Sequence, residues 1–578
     1  MKKFILSICC LTFFVVVSAQ NYNAVLFKVG NESVTGNEFI NTFNKNNSLK
    51  TASESELRDY LELFINFKLK VKDGIDYKID TALTFQRELA SYKSQSAQQY
   101  LIDREVSEQL IKEAMERSKQ MIRASHILII CAADALPKDT LAAYNKIMDI
   151  RKKITSKSIS FPDAAVRFSE DVSARDEVDK NGKIQFGNKG DLGYFSVFDL
   201  IYPFENAAYK TQVGTVSLPV RTQFGYHLVW VQDKQPMVAK INISQILLLD
   251  STARFGNMSS NVKEKLEFIE EAFKNEEKFE SIAEKYTDDP LSKQKGGKLE
   301  PFAPNRRPGD FIKQCISIEN GQITKPFPSV IGWHIIKLNE LIVPEVKDED
   351  LRHNITNKIQ RDQRSAKSVE SLIEKLKKEY KYSDKGKNDA LNFILTKLEK
   401  EVIMPSSEDL LAMGGVDKLK PVATFANQTV TIKEFIHFLN RFKGDNLNNQ
   451  AKSLLNAHFN NFIKDVILKY ELENLANKYP EYNELVLEYH HGMILFEMTN
   501  EKIWNVSLKD SVKIDEYYER MKFDHLDSNG NPKQFADIRS IVLTEYQSDL
   551  EKKWIEEIKE RYPIWINEEL FDLILKNK

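Results

Sequence analysis

A histidine stands inside an apolar run at "ASHILII", residues 124–130, and a matching run, "ISQILLL", residues 243–249, carries glutamine in its place. His126 and Gln245 thus hold the same position in two related strands. Histidine titrates near neutrality, so it can hold or pass a proton and fix a neighbour's tautomer. Glutamine keeps the hydrogen bonding and loses the proton. Other residues that could do chemistry are few. An adjacent pair, His490 and His491 in "EYHHGM", lies on a helical pattern that points the two rings apart and reads as a solvated or satisfied pair. Cys131 and Cys315 are flanked by Ile129, Ile130 and Ile316 and read as buried small hydrophobes. The chain contains no HExxH motif and no closely spaced cysteine pair after residue 10.

The elements that must position His126 recur in order. After "ASHILII" comes a helical pattern, "LAAYNKIMDIRKKI", with Leu141, Tyr144, Ile147, Met148 and Ile154 expected on one face. "FPDAAVRFSED" follows, with Pro162 near a helix start. Then come a Gly-rich turn "GNKGDLGYF", a short helix near Pro203, and strands in "GTVSLPVRT" and "GYHLVWV". After "ISQILLL" the same order returns in "VKEKLEFIEEAFKN", "FESIAEKYTDDP", "GGKLEPF", "GQITKPF" and "GWHIIKL". The pattern predicts two tandem α+β domains, each a small antiparallel sheet with helices.

The string "SHILI … FSED … GDLGYF … PFENAAY … VGTVSLPVRTQFGYHLV" resembles the parvulin family of peptidyl-prolyl cis/trans isomerases over roughly 122–234, with six motifs in order. The unit at 239–344 is similar but degraded. With its flanks, the whole chain resembles a SurA-type chaperone-isomerase, which implies an envelope foldase for unfolded exported and outer-membrane proteins. The implied reaction is rotation of an X-Pro amide against a barrier of about 18–20 kcal/mol. It needs no nucleophile, only a site that holds the twisted amide better than either planar isomer. The resemblance implies a proline slot at Leu192, Leu200 and Phe204, with Phe224 at its rim. It also implies a histidine pair at His126 and His227, a hydroxyl at Thr222, and Asp171 at a place held by Cys or Asp in the family. Two imidazoles sharing a proton can fix each other's tautomer and orient a hydroxyl. The plainer alternative is that they are core groups tying strands together. Two histidines and a carboxylate can also bind metal, but no motif supports that here. The expectation is no metal and no cofactor.

The segment 172–190 is longer than the family's loop and lacks an Arg/Lys cluster, so unphosphorylated X-Pro substrates and a mobile surface loop are expected. In the second unit His334 keeps one histidine, Phe311 keeps part of the slot, and Ser329 stands for the threonine. Gln245 replaces the other histidine and Arg307 falls where an apolar slot residue belongs, so this slot is expected to be closed or reshaped and turnover lost.

The flanks repeat as well. "NESVTGNEFINTF", 31–43, returns as "NQTVTIKEFIHFL", 427–439, with capping boxes expected at Thr35/Glu38 and Thr431/Glu434. Tyr60, Leu63, Phe64, Phe67 and Val71 keep the helical spacing of Phe459, Phe462, Ile463, Val466 and Tyr470. Trp554, Ile555 and Ile558 give the last helix an apolar face that needs a partner. The expected organisation is a signal peptide at 1–19, a helical chaperone-like module at 20–121, parvulin-like domains at 122–234 and 239–344, a helical linker at 345–420, and a second helical module at 421–578 whose terminal helix completes a chaperone core. The chain has 578 residues, 42% apolar and 29% charged, with a net charge of −2, which gives no sign of nucleic-acid binding. The opening "MKKFILSICCLTFFVVVSAQ" reads as a cleaved export signal, too short to span a bilayer and without a small residue before Cys9 or Cys10 for lipidation. The expected function is a periplasmic prolyl isomerase and chaperone, with no stable membrane insertion, whose partners are unfolded polypeptides with X-Pro bonds. The alternative is a non-catalytic holdase whose parvulin units only bind peptides.

Overall fold

The computed structural model describes residues 22–577, apart from 134, 179, 181, 183, 400, 413, 417–419, 448–449 and 510. The expected export signal lies outside them. No helix among the described residues is long and apolar enough to cross a membrane. The described residues fold as two compact units, 99–471 and the two ends, 22–98 with 472–577.

In the first of these, four antiparallel strands form a sheet in the order Asp191–Phe195, Gln120–Ile130, Gly225–Pro236, Val220–Thr222. Strand alternation separates two cores. Ile127, Ile129 and Leu228 face helices Pro137–Thr155 and Phe161–Phe168. Ile122, Ala124, Val229 and Val231 face helix Tyr202–Lys210. The buried stripe of Pro137–Thr155 is Ala143, Ile147 and Ile150, whereas Leu141 is 59% exposed and Tyr144 38% exposed. The predicted face is therefore rotated. Ala143, small enough for close approach to the sheet, marks the true stripe, and a search for large apolar residues passes over it.

The second domain repeats this plan with a thinner sheet, in the order Phe327–Pro328, Gly332–Ile342, Lys240–Leu249. Its fourth strand is reduced to isolated bridges, Ile241 with Phe302 and Ser244 with Lys298. Helices Ser260–Lys274 and Phe279–Tyr286 cover one face and Gly309–Ile316 the other.

The stretch expected to be a linker is packed. Helix Asp348–Arg361 buries Ile355 and Ile359 against Leu110, Ile111 and Ala114 of helix Arg104–Ser118. Residues from Leu376 to Ile467 share one core, including Leu391, Phe425, Phe435 and Phe459. The expected module 421–578 is thus divided, its first fifty or so residues joining 345–420. The physical reason is that Phe459, Phe462 and Ile463 bury against the hairpin Ala423–Phe425/Gln428–Val430 and the helices before it.

The unit made from the chain ends has a three-stranded antiparallel sheet, Ile564–Ile566, Val25–Val29, Glu32–Thr35. Over it lies helix Glu54–Asp76, begun by a reciprocal capping box of Ser53 and Glu56. Trp554 and Ile558 of helix Phe535–Arg561 are buried in the same core as Leu26, Phe64 and Leu69. The fully buried Asp73 carboxylate accepts from Trp554 Nε1 at 2.8 Å and from Arg561 Nη1 at 2.5 Å. Gly74 permits the crossing with helix Pro480–Thr499: a Cβ there would lie 2.3 Å from Ile494 Cγ2. The two repeated flank motifs both form hairpin then helix, but their caps differ. Thr431 and Glu434 make a full capping box, while Thr35 caps alone because Glu38 pairs with Lys68 at 2.7 Å. Leu63, expected on the packed stripe, is 63% exposed.

His490 and His491 are half-buried and turn to separate partners, His490 also lying 3.7 Å from Asp80 Oδ2. Their ring centroids lie 5.8 Å apart, with His490 against Phe85 and His491 against Phe67. Burial pushes His491 down to about 4.

Candidate active site

In the register of the central pair, His126 lies opposite Val229 and His227 opposite Leu128. Alternation therefore turns both imidazoles to the face covered by helix Tyr202–Lys210. Their rings are nearly parallel, with Nδ1 atoms 3.4 Å apart. His126 Nε2 is 2.8 Å from Asp171 Oδ2, and Thr222 Oγ1 is 2.8 Å from His227 Nε2. The four predicted polar residues thus form one chain, Asp171–His126–His227–Thr222.

Electrostatics fix the protons along it. The hydrogen bond from His126 holds the Asp171 carboxyl well below the usual carboxylate range, against an opposing effect of burial. It is ionised and can only accept, so His126 Nε2 carries a proton. Burial, helped by charge on His126, pushes His227 down to about 4, so it is neutral near pH 7. A neutral His227 has one donor and one acceptor nitrogen, which it shares between His126 Nδ1 and Thr222 Oγ1.

Beside this chain lies apolar surface. Phe204, 3% exposed, stands edge-on to His126 and His227 at centroid distances of 5.8 and 5.4 Å. Leu192 and Leu200 are half-buried and pack on the same cluster. Phe224 is 53% exposed, and its N–H donates to Thr222 Oγ1 at 3.1 Å. The predicted slot residues and the polar chain are thus brought together, with Phe224 at the edge. An apolar recess beside neutral, oriented polar groups can hold a proline ring and a rotating amide and offers no activated nucleophile.

The backbone that holds Asp171 is built from "FSED". Ser169 Oγ accepts Leu128 N at 3.2 Å and Glu170 accepts Ile130 N at 2.7 Å. Gly190 closes the other side: its φ is +85°, its carbonyl accepts His126 N at 2.8 Å, and a Cβ would lie 2.6 Å from His126 O. Gly297 stands in the same relation to Gln245, with φ +81° and a Cβ 2.4 Å from its carbonyl. The frame survives in the second domain although glutamine stands in place of the first histidine.

Sequence reasoning missed two features. The first is Asp289, the counterpart of Asp171, which accepts from Gln245 Nε2 at 3.2 Å. The alignment of "FSED" with "YTDD" carries this signal, since Thr287 and Asp288 repeat the backbone bonds of Ser169 and Glu170, to Leu247 N and Leu249 N at 3.0 Å each. The second is a buried ion cluster behind the slot. Glu205, next to Phe204, accepts from Arg364 Nη2 and Arg117 Nη1 at 2.8 Å each, and from Phe198 N at 2.8 Å. Glu205 and Arg364 are almost fully buried. No local pattern announces a pair so far apart in sequence.

In the second domain His334 Nε2 meets Ser329 Oγ at 2.8 Å, and Phe311 and Phe327 flank the ring. Its Nδ1 is buried without a hydrogen-bond partner among the described residues, because Gln245 turns to Asp289. Burial, and then the charge of Arg307, push His334 down to about 4. Arg307 is exposed, with its guanidinium over Phe302 at 5.3 Å and Phe311 at 5.9 Å. The slot is reshaped rather than closed: a cavity of 640 Å³ remains, lined in part by Arg307, Phe311 and His334. The inserted segment of the first domain, expected to be free, is pinned at this cavity. Asp176 pairs with Arg254 at 2.6 Å, and Arg254 stacks on Phe186 at 4.1 Å.

Among the described residues no group of three or more His, Cys, Asp or Glu side chains is arranged to hold a metal ion.

Comparison with known proteins agrees with this geometry. The rotamase family, described as the PPIC-type PPIase domain, matches residues 126–233 and 248–340. Chaperone SurA of Alkalilimnicola ehrlichii is 26% identical over 46% of this chain and 60% of its own length. Foldase protein PrsA of Geobacillus kaustophilus is 28% identical over 41% of this chain and 80% of its own. A peptidylprolyl isomerase structure (PrsA) from Bacillus anthracis is 27% identical, covering 24% of this chain and 60% of that one, with a TM-score of 0.16. The SurA relatives from A. ehrlichii and Idiomarina loihiensis are covered over 60% and 40% of their length, less than two thirds. The two tandem α+β domains described above are thus the segments of the chain that match the PPIC-type PPIase domain.

Proposed function

We propose that this chain is a prolyl isomerase joined to chaperone modules, acting on unfolded exported polypeptides, outer-membrane proteins among them, in the periplasm. The first PPIC-type domain carries the turnover, with His126, Asp171, Thr222 and His227 as the polar groups at the rotating bond. Leu192, Leu200 and Phe204 take the proline ring, with Phe224 at its edge. One observation carries this reading: the continuous chain from Asp171 to Thr222 lies edge-on to Phe204. An X-Pro amide twisted out of plane loses conjugation. A recess that holds the ring beside this oriented polar chain favours the twisted amide over the planar one and lowers that barrier without covalent chemistry.

The chaperone part of the reading rests on the unit of chain ends. It carries a groove of 630 Å³ lined by Tyr92, Tyr489, Met493 and Phe496, the last 56% exposed. Apolar surface of this kind rimmed by charge suits extended clients. The apolar run near the start of the sequence supports export, and the chaperone and foldase names of the relatives support the client class.

The test is a proline-limited refolding assay on the full chain. Leu200→Arg places in the first slot the residue type that the second domain carries at Arg307. It is expected to lower the acceleration by about tenfold or more, because a cation in an apolar recess must be desolvated or must block it. Full acceleration by the variant removes the slot assignment. A wild-type chain that suppresses aggregation but never accelerates refolding leaves only the holdase reading.

A further inference from the structure

The cavity on the second domain is built for something other than proline. Its aromatic floor, Phe311 with Phe302 and Phe327 around it, resembles the slot of the first domain, but a cation now lies over it. Arg307 has no ion-pair partner among the described residues. The carboxylates around it are committed. Asp191 and Asp310 both bind Arg123 Nη2, at 2.6 and 2.8 Å. Asp289 accepts from Gln245, Ser292 and Leu291 N. Arg254, the other arginine on the cavity, is taken by Asp176. Lys189 also lines the cavity, and no described carboxylate pairs with it. Among the residues that line the cavity, the cations Lys189, Arg254 and Arg307 outnumber the carboxylates Asp191 and Asp310, and Asp289 behind them feels the charge of Arg307. His334, 4% exposed and lining the same cavity, adds a buried Nδ1 with an unmet hydrogen bond. Groups in that condition in a native structure call for a ligand or for a structural explanation.

The walls come from both domains. Leu192 and Gly193, which follow the Gly190 turn of the first site, line the cavity together with Arg307 and Phe311. Arg123 ties the two sides across this seam, and a Cβ on Gly309 would lie 2.3 Å from its Nε. A single residue thus forms part of the first domain's proline slot and part of the second domain's cavity wall. At 640 Å³ the space is in the range of ligand sites and larger than one side chain needs.

We propose that this cavity is a second client site, which takes an internal Asp or Glu side chain of an extended polypeptide on Arg307, with the client's apolar neighbours on Phe311 and Phe327. An aromatic bed beneath a guanidinium leaves its fork free for a carboxylate and lowers the local dielectric, which strengthens the pair. The proposal rests on reading the chain as a foldase for unfolded clients, and it assigns the degenerate domain a sequence preference that the first domain lacks.

The experiment uses the full chain and two fluorescent peptides without proline, acetylated and amidated, which differ only by Glu or Gln between apolar residues. Anisotropy titrations are expected to show the Glu peptide bound about tenfold tighter, the scale of one charge-assisted hydrogen bond, with the margin shrinking at high salt. Arg307→Leu should remove the preference and Arg307→Lys should keep part of it. Turnover of an acid-free X-Pro peptide should stay the same in both variants. Equal binding of the two peptides, no binding of either, or a preference that survives Arg307→Leu overturns the proposal. So does tight binding of a peptide whose only carboxylate is its C-terminus while the Glu peptide fails. If the Glu preference is present but the wild-type chain turns over no X-Pro peptide, the site stands and the isomerase reading falls.

Discussion

At the scale of residues, the two domains provide an internal comparison. In one, His227 Nδ1 has His126 as partner; in the other, the same atom of His334 has none. His126→Gln in the first domain copies that difference. It should destabilise the domain by about 1–3 kcal/mol, the usual range for a buried polar atom left unsatisfied, and it should lower turnover. Melting and proline-limited refolding measured on the same variant separate the roles. Lost turnover with an unchanged melt assigns His126 to the reaction alone, and lost melt with full turnover assigns it to the core. That His126, Asp171, Thr222 and His227 come together was legible from sequence, because each sits in a motif that resembles the parvulin family's. Asp289 was not legible although "YTDD" stands in the place of "FSED", because an acidic pair before a proline has the look of a solvated turn until Gln245 is placed beside it.

At the scale of elements, the short helix Tyr202–Lys210 is the part most dependent on its surroundings. It carries Phe204 into the site and holds Glu205 between two arginines on its far side. Glu205→Ala should remove the carboxylate shared by Arg117 and Arg364, leave Arg364 with Asp362 alone and cost about 3–5 kcal/mol. Denaturant unfolding measures this directly. A loss under 1 kcal/mol would mean that Arg364 finds Asp362, 2.8 Å from its Nε, sufficient alone. Elements of this kind show the limit of reading periodicity. The repeat order of strands and helices was visible because apolar spacing is local. The inward face of Pro137–Thr155 was misjudged because Ala143, not Leu141, meets the sheet. The cluster of Glu205 with Arg117 and Arg364 was invisible because three charged residues in three separate segments look like solvated surface until the fold brings them together.

At the scale of the whole molecule, buried neutral histidines make stability depend on pH. His227, His334 and His491 are each pushed down to about 4 by burial. Near pH 7 they are neutral in both the folded and the unfolded chain. Between the ordinary value near 6.5 and the folded value near 4, the unfolded chain binds the extra protons, so stability falls as pH falls. One pKa unit is about 1.4 kcal/mol, so each of these groups withdraws on the order of 3 kcal/mol by pH 4. The melting midpoint should decline steadily from pH 6.5 to 4. A midpoint that stays flat down to pH 4.5 contradicts the neutral state assigned to His227. The domain plan was only partly legible at this scale. The two α+β units were written in motifs, but the helices 345–420 read as a linker because nothing local says that Ile355 and Ile359 meet Leu110 and Ile111.

The pairing of Val29 with Ile564 closes a very long loop. The edge of the strand that carries Leu26, Phe27 and Val29 is covered by a segment remote in sequence. Until Trp554 arrives, Asp73 also lacks its indole donor. The two PPIC-type domains, whose contacts lie within 99–471, need no such closure and can fold while Val25–Val29 still has an unpaired edge. The unit of distant segments is therefore the slower to complete, and until it closes it exposes an apolar strand edge of its own.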